Sequence, residues 1–367
     1  MGGNFKIVVI NPGSTSTKFA LYENENPVFV CNLRHSEDEL AAFRGKPILE
    51  QQDFRRRLIV AEIEKRGHDL HGISAAAGRG GLLRPLASGT YRVNEAMLGE
   101  LTRAERGEHA SNLGAFLARG MADEAGVPAF VVDPVSVDEW PERARLSGCA
   151  LIDRQCLSHA LNTKAVAKRF AHEHERKYSD LRLVVAHVGS GISVSAHEGG
   201  RMIDVTNSRE EGAFSTERAG TVPTMKLVEL CFSGKYSYKQ VEAMLFREGG
   251  LQSYLGTKDL MEVETRITSG DKKAGLVYSA MAYQIAKEIG AMATVLRGRV
   301  DAILLTGGMA RSMKLVSELS SHIQWIAPVH VYPGEDELQA LAEGVLRVLR
   351  GEEQALELAE LAASARV

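Results

Sequence analysis

Ile7-Val8-Val9-Ile10-Asn11-Pro12-Gly13-Ser14-Thr15-Ser16-Thr17-Lys18-Phe19-Ala20-Leu21-Tyr22 is two short apolar runs joined by a turn of Pro, Gly and hydroxyl residues. Apolar runs of this length bounded by turn formers predict a hairpin, with a third strand near Val28–Cys31. The same design recurs far downstream. Leu183-Val184-Val185-Ala186 leads through His187-Val188-Gly189-Ser190-Gly191 into Ile192-Ser193-Val194-Ser195-Ala196, and Gly199-Gly200 turns the chain into Arg201-Met202-Ile203-Asp204-Val205. Placing His187 on Asn11 also places Gly189 on Gly13. A duplication this widely spaced predicts two similar halves facing each other, since a solenoid would repeat at a far shorter period.

Elsewhere the periodicity is mainly helical. Ser111 is read as the N-cap of a helix through Leu113, Phe116, Leu117 and Met121 that stops at Gly126. Further helices are expected over Ser158–Arg169, Pro223–Cys231 and Glu335–Arg350, and the Ala/Glu-rich last residues are expected to fray. Asp271–Leu296 is apolar on most faces and predicts a helix buried between other elements. Phe130–Val132 and Ile303–Leu305 are apolar on both sides, as central parallel strands are.

The 367 residues suffice for two domains. A formal charge of −3 provides no basic face, so nucleic acid is not expected as a partner. Apolar residues at 44% and charged residues at 25% describe a globular chain and argue against disorder. Ala274–Ala286, free of charge, is too short to span a bilayer, so no membrane association is expected. Four cysteines without a CxxC pair make no disulfide framework. The opening residues hold only four consecutive apolar positions before Pro-Gly, too few for a secretion signal, and a cytoplasmic placement is expected.

Three glycine segments could meet phosphate. Asn11–Lys18 offers backbone N–H groups and hydroxyls that either cradle an anion or simply close an exposed hairpin. It is not the lysine-bearing P-loop, because the G-x-x-x-x-G-K-[ST] spacing is absent. The matching turn Gly189-Ser190-Gly191 favours the anion reading, as two such turns would form the jaws of a cleft. Thr306-Gly307-Gly308-Met309-Ala310 follows a strand and opens a helix, which suits a nucleotide or merely close packing.

Charged candidates stand near these segments. Arg79, after the apolar run Ile73–Ala77, is placed either to clamp an anion or to face solvent. Arg218 lies in a small-residue loop, where an ion pair with Glu217 or Glu211 is the alternative. Asp133 ends a core strand, where ligand sites of α/β sheets gather. His109, His159 and His187 each adjoin such a segment, whereas His172 and His174 read as a solvated helix end. Glu335-Asp336-Glu337 could hold Mg²⁺ or could serve only as the acidic first turn of a helix.

Together these motifs resemble the butyrate kinases, relatives of the acetate kinases in the acetokinase family. The resemblance also runs through Gly78-Arg79-Gly80-Gly81-Leu82-Leu83, Gly89-Thr90-Tyr91-Arg92-Val93-Asn94, His109-Ala110-Ser111-Asn112-Leu113-Gly114 and Tyr332-Pro333-Gly334-Glu335. It implies an α/β fold of two ribonuclease-H-like domains, as in actin-like ATPases, each a mixed five-stranded sheet with flanking helices and with the active site in the cleft between them. The expected domains are 1–156 with a returning helix at about 338–367, and 157–337. Implied is reversible transfer of a phosphoryl group from ATP, with Mg²⁺, to butyrate or a similar short-chain or branched carboxylate, by a homodimer or higher homo-oligomer. The alternatives are an acetate or propionate kinase, or a nucleotide-binding relative without transfer activity.

By motif, Asn11 would contact the transferring phosphate, Arg79 and Arg218 the carboxylate and transition state, and Asp133 and His159 would bear on catalysis. Gly13, Ser14, Thr15, Ser16 and Lys18, with His187, Gly189, Ser190 and Gly191, would line the phosphate turns. Gly307 and Gly308 would lie against adenosine, and Glu335 or Glu337 would hold the metal. Serine stands at 190, where the family usually has glycine, and Thr216 and Ala219 also depart from its pattern.

Overall fold

The computed structural model describes residues 3–359, so the expected fraying of the final residues falls largely outside the described residues. The strands are β1 (Lys6–Pro12), β2 (Ser16–Glu23), β3 (Asn26–Arg34), β4 (Ala75–Arg79), β5 (Thr90–Arg92), β6 (Ala129–Val132), β7 (Arg182–Val188), β8 (Ile192–Glu198), β9 (Arg201–Val205), β10 (Ala302–Gly307), β11 (Val329–Pro333) and β12 (Leu356–Glu357). A small hairpin, Leu146–Cys149 with Ile152–Asp153, pairs only with itself. The helices that bear on the site are α1 (Gln52–Lys65), α2 (Leu113–Ala125), α3 (Ala160–Glu173), α4 (Lys272–Val295), α5 (Met313–Ile323) and α6 (Glu337–Leu349).

The chain forms two compact units: the described residues of Met1–Val137 with Asp336–Val367, and Asp138–Glu335. In the first, β1, β2 and β3 are antiparallel, and β4 and β6 run parallel to β1. In the second, β7, β8 and β9 repeat the antiparallel meander, and β10 and β11 continue it in parallel. The shared order is β3-β2-β1-β4-β6 in one sheet and β9-β8-β7-β10-β11 in the other. The expected five strands hold for the second unit; the first has seven, because β5 and the two-residue β12 extend its edge beyond β6.

Each sheet is covered by helices whose apolar stripes match the strands. Ile7 to Ile10 of β1 are fully buried. Gly344 brings α6 against β6, since a Cβ there would lie 2.4 Å from Val132. In the second unit the alternation of β7 divides its residues. Val184, Ala186 and Val188 pack with Tyr278, Met281 and Ile285 of α4, and Leu183 and Val185 pack with Val166 and Phe170 of α3. Helix α4 is less enclosed than its composition predicts, because Leu276 and Tyr283 are exposed. Ser111 lies in a short 3-10 turn before α2 rather than capping it, and Gly126 ends α2 in the left-handed conformation. No helix among the described residues is long and apolar enough to cross a membrane.

Residues 138–156, expected with the first half, pack in the second unit. Arg154 reaches Glu211 at 2.8 Å and Asp204 at 3.2 Å, and Glu139 pairs with Lys164 of α3. The Lys164–Glu139 pair is buried, and beside it the fully buried His197 bonds Tyr178 and Ser195.

Burial, and then the Lys164 charge, holds His197 well below the usual histidine range. His35 and His109 are lowered too, by burial first and then by the charges of Arg55 and Arg79. A histidine kept neutral in the fold takes up its proton only on unfolding, so its contribution is present above about pH 6.5 and is lost as pH falls through that value. Thermal unfolding at pH 7.5 and 5.5 is expected to show a lower midpoint at the acid value. His197, His35 and His109 all act in this direction. A midpoint that is flat or rises on acidification would contradict this.

Candidate functional site

In the first unit the parallel strands β1, β4 and β6 deliver Asn11, Arg79 and Asp133 to their C-terminal ends, where sheets of this kind gather ligands. The Asn11 side-chain amide donates to Glu337, the first residue of α6, and the Arg79 guanidinium lies 2.9 Å from the same carboxylate. The acidic cluster therefore divides: Glu337 joins Asn11 and Arg79 here, while Glu335 belongs to the second unit. Asp133 has φ +37°, and its Oδ1 accepts from the Ser88 hydroxyl at 2.6 Å and the Gly89 amide at 2.8 Å. Its carboxylate thus fixes the turn before β5. His109 accepts from the Ser111 amide through Nδ1.

Gly13–Ser16 is a closed turn, with the Gly13 amide donating to the Ser16 carbonyl at 2.8 Å, and Ser14, Thr15 and Lys18 are exposed around it. Arg55, absent from the sequence reading, is wholly buried beneath this turn. The signal was its spacing: Arg55, Ile59 and Ile63 form the buried stripe of α1, so an arginine occupies a core-facing position.

In the second unit β7, β10 and β11 bring His187, Thr306–Gly307 and Gly334–Glu335 together at one end. Thr306 is paired with His187, and Gly307 and Gly334 exchange amide bonds. Gly307, at φ +93°, must lack a side chain, since a Cβ would meet the Val188 carbonyl at 2.3 Å. The His187 and His159 rings stack at 3.8 Å with their planes 6° apart. His187 Nδ1 bonds the Asn162 side chain and His159 Nδ1 bonds Ser193. The Glu335 carboxylate lies 3.1 Å from His187 Nε2, and this buried nitrogen has no hydrogen bond among the described residues. Gly308 begins a short 3-10 turn that leads to Ser312, the N-cap of α5.

Arg218 lies against the second turn, with a Cβ on Gly191 only 2.7 Å from its Nη1. Its guanidinium donates to the carbonyl and hydroxyl of Ser208 at 2.9 and 3.0 Å. Neither expected acid pairs with it. Glu211 is held by Arg154 and Glu217 by Lys258, and no carboxylate among the described residues makes an ion pair with Arg218. Burial pulls its pKa down, the mark of a cation without enough compensation. Ser190 is absent from the residues with left-handed backbone, so the serine sits there without strain, and its carbonyl accepts from Ser215.

Residues 151–331 match the sequence profile of the acetokinase family. The fold is similar to that of a Porphyromonas gingivalis acetate kinase, at 17% identity and a TM-score of 0.77, covering 93% of this chain and 99% of that one. A propionate kinase from Francisella tularensis aligns with a TM-score of 0.69 at 18% identity, over 92% of this chain and 98% of its own. An acetate kinase from Entamoeba histolytica gives 0.74 at 14%, again over 92% and 98%. Residues 151–331 thus resemble the acetokinase family in sequence, and the fold over most of the chain is similar to those of the acetate and propionate kinases.

Proposed function

We propose that the protein is a carboxylate kinase that transfers the terminal phosphoryl group of ATP to butyrate or a close short-chain or branched acid. The observation that carries this reading is Arg218, a largely buried cation whose neighbouring acids are all committed elsewhere. A buried charge without a partner is costly, and an anionic ligand beside the Gly189–Gly191 turn would relieve the cost. His187 Nε2, buried beside Glu335 and without a hydrogen bond among the described residues, is a second polar atom that a ligand could satisfy.

The acceptor is already ionised at neutral pH if its pKa resembles that of a glutamate side chain, so no general base is needed. Transfer then depends on aligning anionic groups and neutralising their charge. In this reading Arg218 stabilises the transferring group, Arg79 and Asn11 act with Glu337, and His159 holds the His187 ring in place by stacking. Gly13 to Ser16 with Lys18, and Gly189 to Gly191, face phosphate oxygens, and Gly307 and Gly308 leave room for the nucleoside. Asp133 shapes the turn before β5.

The acidic residues also suit Mg²⁺. Among the described residues no group of three or more ligands could hold a metal alone. Mg²⁺ in kinases is commonly bound by one or two carboxylates, the remainder of its shell coming from water and phosphate. Glu337 or Glu335 is the residue that would hold it, and when bound the ion would neutralise phosphate charge. A homo-oligomeric state belongs to the same proposal.

The test is acyl phosphate formation, trapped with hydroxylamine, from Mg²⁺-ATP and acids from acetate to valerate with isobutyrate included. A maximum at four carbons is the expected result. A maximum at two or three carbons would make the protein an acetate or propionate kinase, and ATP binding without product would overturn transfer altogether.

A further inference from the structure

We propose that Arg55 is the positioning residue of the first phosphate turn: it holds the turn's carbonyls from behind, so that the amides of Ser14 and Thr15 face an incoming phosphoryl oxygen. This rests on the reading of Gly13–Ser16 as a phosphate turn. Arg55 is 0% exposed. Its Nη1 donates to Gly13 O at 2.7 Å, Ser16 O at 3.0 Å and the Thr17 hydroxyl at 3.0 Å, and its Nη2 donates to Ser14 O at 3.1 Å. The remaining turn carbonyl, Thr15 O, accepts from the His35 amide. Every carbonyl of the turn is therefore engaged.

A trans peptide is planar, with its C=O and N–H directed oppositely. Fixing Gly13 O on the guanidinium therefore turns the Ser14 N–H away from it, and fixing Ser14 O does the same for the Thr15 N–H. These two amides have no hydrogen-bond partner among the described residues. Successive unpaired amides aimed one way form an anion-binding concavity.

The guanidinium supplies charge as well as geometry. Its other acceptor is the Gln51 side-chain carbonyl, at 3.0 and 2.7 Å, which is a dipole and not a counter-ion. No carboxylate among the described residues pairs with it, and burial lowers its pKa to about 10, so it stays charged at neutral pH. A positive charge thus stands behind the two amides, where it strengthens their hold on an anion. His35, beside Thr17, is lowered by burial and by this same charge.

The test compares the wild-type protein with Arg55→Met and Arg55→Lys, measuring kcat and KM for both substrates in the acyl phosphate assay and the thermal midpoint of each. Arg55→Met is expected to lower kcat about 100-fold, the scale of losing preorganised anion donors, with KM for the carboxylate within about twofold. Arg55→Lys, which keeps the charge and loses the fork, is expected to recover part of that loss. A folded Arg55→Met with wild-type kcat would overturn the proposal, as would an equal loss in both variants. If Arg55→Met does not fold, Arg55→Lys carries the test, and a wild-type kcat in it would overturn the proposal because the fork that holds the turn carbonyls is gone. A wild-type protein that forms no acyl phosphate overturns the kinase reading instead, so the two failures are told apart.

Discussion

Arg218→Ala is expected to lower turnover by about 100- to 1,000-fold while the thermal midpoint stays the same or rises. Both halves follow from one geometry. The guanidinium is drawn out of water beside Gly191, and among the described residues its hydrogen-bond partners are the Ser208 carbonyl and hydroxyl. Its lowered pKa shows that the fold disfavours the charged form relative to the unfolded chain, so removing it relieves a cost. Lysine at 218 cannot reproduce the planar fork, so Arg218→Lys should recover only part of the lost turnover. Steady-state kinetics and a thermal melt on the same preparations decide it. Near-native turnover in Arg218→Ala would remove this residue from the mechanism.

Lys164→Met is expected to have the opposite signature, a loss of about 3–5 kcal/mol in stability. Lys164 is 0% exposed, and its ammonium meets the Glu139 carboxylate and the Gly200 carbonyl. Glu139 also accepts from the Met202 amide at 2.8 Å, so the pair ties α3 to β9 and to the segment after residue 137. Removing the lysine strands a buried carboxylate, which is the expensive half of such a change. Replacing both partners, as Lys164→Met with Glu139→Leu, should restore most of the stability because no charge is left unpaired. Chemical denaturation of the single and double variants is the check. A single variant within 1 kcal/mol of wild type would contradict the account. Because α3 also carries Asn162, which bonds His187, some loss of turnover should accompany unfolding of this anchor.

Much of this was legible from residues 7–22 and 183–205, because strands, glycine turns and their repetition are local patterns. The alignment of His187 with Asn11 matches equivalent positions, although both read as turn residues in the sequence and the structure has each next to last in its strand. Arg218 could be located but not interpreted, since Glu211 and Glu217 were nearby in sequence. Their actual partners, Arg154 and Lys258, are brought in by the fold from distant positions. The 335–337 cluster could not be divided from sequence, because the chain crosses from one unit to the other within it. Residues 138–156 were grouped with the first half because their anchors, Glu211, Asp204 and Lys164, lie beyond them in sequence. Arg55 escaped because adjacent arginines in a helix read as solvated, yet only this one shares a face with Ile59 and Ile63.

The central claim is that phosphate leaves ATP for a carboxylate and not for water. ³¹P NMR of one incubation of the protein with Mg²⁺-ATP and butyrate tests it most directly. The expected spectrum shows butyryl phosphate and ADP growing in equal amounts, with neither formed when butyrate is omitted. ADP growing with inorganic phosphate and no acyl phosphate, or ATP left intact, would contradict it.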